Sequence, residues 1–115
     1  MTHDLESKIL ADIPIAKAMA FAIESVSESK ALIRMPLAPN VNHIGSFFGG
    51  SLFSACALAS YTYILGRLSQ LSVPAVVVIG DAQIRYLKPA LNMVEVEASP
   101  HEPILIDDLK MSLWV

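Results

Sequence analysis

The sequence predicts an α+β fold in which one long uncharged helix packs on an antiparallel sheet. Three observations carry this. The run from Phe47 to Gly66 holds no charged residue and is rich in small ones. Two extended runs precede it and three alternating runs follow it. Short connections between strands favour antiparallel pairing, and all the strands need a common apolar partner. The 115 residues suffice for a single domain, taken as residues 1–115.

Hydrophobic residues make up 54% of the chain and charged residues 17%, which supports a core and excludes a disordered chain. The net charge is −3 and the basic residues are scattered, so no nucleic-acid surface is expected. Cys56 is the single cysteine, which excludes an internal disulfide and a CxxC site. His3, His43 and His101 lie far apart, and neither a P-loop nor a Rossmann fingerprint occurs; no metal and no cofactor are expected. The opening residues, Met1 to Lys8, are polar and lack a signal-peptide pattern. A cytoplasmic protein is the expectation.

In chain order, Leu5, Ile9, Leu10 and Ile13 recur at helical spacing, predicting a helix over Asp4 to Ile13 that Pro14 ends or breaks. Ala20 to Val26 and Ala31 to Leu37 read as a hairpin around Ser27-Glu28-Ser29-Lys30. Pro36, Pro39, Asn40, Asn42 and Gly45 then make a breaker-rich loop of the length that often carries function. The uncharged run that follows, about twenty residues, is long enough to span a bilayer. Its hydroxyls (Ser51, Ser54, Ser60, Thr62) and the strand patterns on both sides favour instead a central helix under a sheet, starting near Gly49-Gly50. A small membrane protein spanning 47–66 is the less favoured class. Val76 to Leu87 reads as the clearest strand, with Ala82, Ile84 and Tyr86 on one face and Asp81, Gln83 and Arg85 on the other. Met93 to Ala98 and Leu109 to Val115 alternate likewise.

Ile13-Pro14 with Met19, Met35-Pro36-Leu37-Ala38-Pro39-Asn40-Val41-Asn42, Phe48-Gly49-Gly50-Ser51-Leu52 and Ile84-Arg85-Tyr86-Leu87-Lys88-Pro89 together resemble the YiiD C-terminal-domain type of hotdog-fold thioesterase. The resemblance runs from about residue 8 to about residue 90. It implies a hotdog fold: a long central helix wrapped by a curved antiparallel sheet. It also implies subunits that pair their sheets as a homodimer or dimer of dimers, and a substrate that is an acyl group on CoA or acyl carrier protein. A family member is expected to continue through one more strand than this sequence supplies.

Thioester hydrolysis needs a polarised carbonyl and a positioned or deprotonated water. A helix N-terminus supplies the first through free backbone N–H groups. Gly49 and Gly50 suit it, because glycine lets a ligand approach the backbone. Gly50 or Ser51 is therefore expected to hold the thioester oxygen beside Phe48, although a Gly-Gly pair can equally serve a tight helix entry. The second need is harder to meet. Hotdog thioesterases that open this helix with His-Gly-Gly carry a carboxylate about two turns on. Here Phe48 stands in place of His, and Ala57 and Leu58 occupy the later positions.

Asn42 is a candidate to orient water or carbonyl, against an Asx-turn role in its loop. Asp81 is a candidate for the missing carboxylate, reaching a site across a dimer interface, against a solvated strand position. His43 is weighed as a base and read as exposed. Ser46 is expected to cap the helix, Cys56 to pack, and Tyr61 and Tyr63 to pack with their hydroxyls partnered. An acyl-thioester hydrolase for hydrophobic acyl groups is the leading expectation. The alternative is a non-catalytic hotdog domain that binds acyl thioesters or mediates dimerisation.

Overall fold

The computed structural model describes residues 2–74, 76–100 and, by backbone alone, 113–114. Helix α1 spans Thr2–Asp12 and buries Leu5 and Ile9, one turn apart on a single face. Pro14 opens a second short helix, α2, Pro14–Ala18, where its missing N–H costs nothing. Both α2 and the later long helix close in the same way. Ala20 takes a left-handed φ of 57°, while Ala20 N–H reaches Lys17 O and Phe21 N–H reaches Ala16 O. Ser72, with φ 54°, repeats this pattern through Ser69 O and Leu68 O.

Strands β1 (Ala22–Val26) and β2 (Ala31–Met35) form the expected hairpin. Ser27 organises its turn: its Oγ accepts the Ser29 and Lys30 N–H groups, and its own N–H bonds to Lys30 O at 2.8 Å. Strand β3 (Val94–Pro100) pairs antiparallel with β2, and β4 (Leu113–Trp114) with β3, giving the order β1-β2-β3-β4. In this register Ile23, Ile33 and Val96 share one row and Ala31 faces Ala98. Ile23, Ala31, Ile33 and Ala98 are buried and Val96 is half-buried, while Arg34, Glu95 and Glu97 face out. The outer pairs Lys30–Glu97 (3.0 Å) and Arg34–Glu24 (3.8 Å) are exposed and contribute little to stability.

Helix α3, Gly49–Gln70, lies across β1, β2 and β3. This is the α+β hotdog arrangement of a long helix wrapped by an antiparallel sheet. Ala55, Leu58, Ala59, Thr62, Tyr63 and Gly66 form its buried face. Gly66 lies inside this helix, which runs on to Gln70, and is buried. A Cβ there would lie 2.7 Å from Val26 Cγ1, so the missing side chain is what lets β1 close on the helix. Tyr63 is buried, and its hydroxyl donates to Glu28 O at 2.6 Å.

The strand expected over Val76 to Leu87 is not formed. Residues 76–93 carry no ladder, and Val76 and Val78 are 92% and 81% exposed. Alternation makes a strand only where a second strand supplies hydrogen-bond partners, and among the described residues none lies alongside. The strand expected over Leu109 to Val115 lies outside the described residues except for β4, as does His101. No helix among the described residues is long and apolar enough to cross a membrane, so the spanning alternative for 47–66 falls.

Alanine is the better helix former by about 1 kcal/mol, yet Gly66→Ala is expected to lower stability by about 1–2 kcal/mol through overpacking against the stiff Val26 side chain. Urea unfolding reads this as a lower midpoint at constant slope. A midpoint at or above that of the native chain would mean that Val26 yields freely.

Candidate active site

The loop before α3 is built on two asparagines with different tasks. Asn40, at the end of a 3-10 turn (Ala38–Asn40), is 2% exposed. Its Nδ2 donates to Met19 O at 2.9 Å and to Pro36 O at 2.8 Å. Its backbone carbonyl accepts the Phe48 N–H at 2.7 Å. One buried residue thus ties the end of α2, the end of β2 and the entry of α3 together. Its Oδ1 has no partner among the described residues. Asn42 works within the loop: its Oδ1 accepts the Ile44 and Ser46 N–H groups, each at 3.0 Å, and its Nδ2 donates to Ser46 Oγ at 2.7 Å. Gly45 takes φ 87° to complete the turn, a conformation that favours glycine.

Ser46 is therefore a buried partner of Asn42 and not the helix cap. The cap position belongs to Phe48, which makes no side-chain cap bond. Leu52 N–H reaches Phe48 O and Phe48 N–H is held by Asn40. The N–H groups of Gly49, Gly50 and Ser51 are then left without an acceptor among the described residues, at the positive end of a helix of 22 residues. Phe47 is buried and its N–H bonds to Ala90 O at 2.8 Å.

Two aromatic rings flank these amides. A Cβ on Gly50 would lie 2.5 Å from Phe48 Cε2, so the Phe48 ring rests on the first turn. A Cβ on Gly49 would lie 3.6 Å from the Tyr86 ring, and the Tyr86 hydroxyl donates to Gly49 O at 2.9 Å. Phe48 is 56% exposed and Tyr86 54%. Phe53 lies four residues beyond Gly49, one turn along the same face.

The structure brings Phe48, Gly49, Gly50 and Ser51 together and sets Asn42 in the adjoining loop. Asp81 is exposed on the irregular segment and makes no hydrogen bond or ion pair among the described residues. His43 is exposed. Burial pushes the Cys56 thiol up, which disfavours the reactive thiolate. Among the described residues no cluster of His, Cys, Asp and Glu could hold a metal ion. Sequence reasoning overlooked Asn40 and Tyr86. Asn40 looked like a second loop asparagine, and Tyr86 stood on a strand face with no sign of its reach to Gly49.

From residue 2 to residue 113 the chain matches the family described as "Putative thioesterase (yiiD_Cterm)". The chain belongs to this family. Its fold agrees with solved hotdog relatives. A structure described as a putative thioesterase of Shewanella oneidensis is 28% identical, with a TM-score of 0.83 over 87% of this chain and 74% of that one. A Chlorobaculum tepidum protein of unknown function is 24% identical, with a TM-score of 0.78 over 90% of this chain and 62% of that one. A Haemophilus influenzae thioesterase is 14% identical, with a TM-score of 0.71 over 98% and 84%; this match and the Chlorobaculum one speak to the fold alone. In this YiiD-type hotdog domain the glycine pair opens the central helix, as the motif implied.

Asn40→Ala is expected to cost about 1–3 kcal/mol, because the buried Met19 carbonyl and the half-buried Pro36 carbonyl lose their donor. Amide exchange at Phe48 should rise with it. Asn42→Ala, in a solvent-reached loop, is expected to cost about 1 kcal/mol or less. Equal costs would mean that the two asparagines are not divided as described.

Proposed function

We propose that this chain hydrolyses acyl thioesters of CoA or of an acyl carrier protein. The observation that carries the reading is the set of unpartnered amides of Gly49, Gly50 and Ser51 at the start of α3. Donors fixed in advance at that point stabilise the oxyanion that forms when water attacks a thioester carbonyl. The new C–O bond forms, the C–S bond breaks, and the thiol leaves with the proton lost by water. Gly50 and Ser51 hold the oxygen, with Phe48 and Gly49 against the acyl group. Asn42 serves the site by holding the loop, since its polar atoms are engaged there.

The general base is the open element, because α3 contains no Asp or Glu. Asp81 is the proposed base, delivered by a second subunit. An irregular segment with exposed Val76, Val78 and Leu87, a strand-like alternation and no ladder among the described residues is open to pairing with another chain. Pairing of two copies through 76–87 would also move Asp81 relative to both helix entries. The second reading, a domain that binds acyl thioesters without cleaving them or that mediates dimerisation, is favoured by one observation: the lack of an acid along α3.

The test is thiol release from a panel of acyl-CoAs, short to long, with sedimentation of the same samples. A dimer that turns over substrate, and whose kcat falls about 10²–10⁴-fold in Asp81→Asn, supports the full reading. Turnover unaffected by Asp81→Asn removes Asp81 and keeps the hydrolase. A folded protein that binds CoA esters without releasing thiol supports the binding domain.

A further inference from the structure

The two rings at the start of α3 differ in how they are held, and the difference bears on which acyl groups enter. Each of the two glycines has an aromatic ring over the position its Cβ would take: Phe48 over Gly50, Tyr86 over Gly49. Helical Cα–Cβ bonds tilt toward the N-terminus, so both rings stand at the end where the free amides emerge. Neighbouring helical positions are about 100° apart around the axis. The rings therefore face the amide array from two sides instead of stacking on one. Both are about half exposed, unlike Phe47 just before them, which is buried.

Tyr86 is anchored by its hydroxyl on Gly49 O at 2.9 Å. The Phe48 ring has no such tie. Its backbone is pinned on both sides, N–H to Asn40 O and C=O to Leu52 N–H, so only its side-chain torsions remain free. The pair is one ring held by a hydrogen bond and one held by its contact with Gly50.

We infer that Phe48 and Tyr86 form a slot that selects thioesters unbranched at the carbon next to the carbonyl, with Phe48 as the selecting wall. The inference rests on the reading of the α3 N-terminus as the thioester site. With the carbonyl oxygen on the amides of Gly50 and Ser51, the adjacent acyl carbon lies between the two rings. A straight chain passes between them. A methyl branch at that carbon meets the Phe48 ring, which cannot turn toward Gly50 because it already touches it. Glycine at position 50 is part of the device: a side chain there would push the ring into the slot.

The experiment compares hexanoyl-CoA with 2-methylhexanoyl-CoA in the native chain, Phe48→Ala and Tyr86→Phe. Both kcat/KM and the affinity for the stable ketone analogues, in which a methylene replaces the sulfur, are measured. The native chain should favour the straight substrate by about tenfold or more, the size of one methylene in a pocket, and Phe48→Ala should bring the ratio to within about threefold. Tyr86→Phe, which keeps the ring and loses only its anchor, should relax the ratio by less. Phe48→Leu, apolar but smaller, gives the same reading if alanine impairs folding. Turnover with an unchanged ratio in the Phe48 variants would overturn the slot and leave the hydrolase standing. Analogue binding that shows the preference, and loses it in Phe48→Ala, without thiol release would keep the slot and overturn hydrolysis. Neither turnover nor binding would overturn both.

Discussion

The closeness of α3 to the sheet is the constraint on which the rest depends. Ala55, Ala59, Thr62 and Gly66 face inward, and the inner strand residues include the larger Ile23 and Ile33. Small and large residues alternate on both surfaces, with Leu58 and Tyr63 between the small residues of the helix and Ala31 and Ala98 beside the large ones of the sheet, so the two interlock at interior density. The tightest point is Gly66 against Val26. Because the contacts are steric, they fix the helix along its axis as well as against the sheet. A shift of one residue would bring Leu58, Tyr61 and Leu65 to where Ala59, Thr62 and Gly66 now stand.

That placement matters because the two ends of α3 have different work. Gly66 and the glycine pair lie about 25 Å apart along the axis. At the far end, packing sets the position. At the near end, Asn40 adds a polar clamp on Met19 O, Pro36 O and the Phe48 N–H. The clamp uses the Phe48 amide internally and leaves the next three free. An N-cap side chain would have satisfied one of those three, and Phe48 offers none. The helix entry is thus ordered from outside the helix, while its own donors stay open to a ligand.

The fold was legible in the sequence where local chemistry decides it. The hairpin turn follows from Ser27 and its neighbours, and the start of α3 from Gly49-Gly50 after a breaker-rich loop. The gaps and errors fall where a distant residue decides. Gly66 carries no local sign of its role, which is set by Val26, forty positions earlier. Pro39-Asn40-Val41-Asn42 offers two equivalent turn residues, and only the carbonyls of Met19 and Pro36 make Asn40 the buried one. Val76 to Leu87 alternates as a strand should, but alternation belongs to one chain segment and a ladder to two. For the candidate site, the glycines and Phe48 could be read from the motif. Tyr86 could not, since a hydroxyl reaching Gly49 across 37 positions leaves no local pattern.

The chemistry of the site and the pairing of the irregular segment are one question. Fixed amide donors are worth about 10²–10³ in rate for each donor, and a general base about 10²–10⁴. A helix N-terminus with no base therefore retains a substantial part of the stabilisation a hydrolase needs, and thioester binding survives without the rest. The acid that could supply the remainder is not on α3, and the site's second wall, Tyr86, lies five residues from Asp81 on the same segment. Tyr86 is tied to the helix by one hydrogen bond, so whatever orders residues 76–93 acts on the slot and on the acid together. On the proposed reading, assembly is part of catalysis: the partner strand that completes the ladder also sets the distance between the carboxylate and the amides.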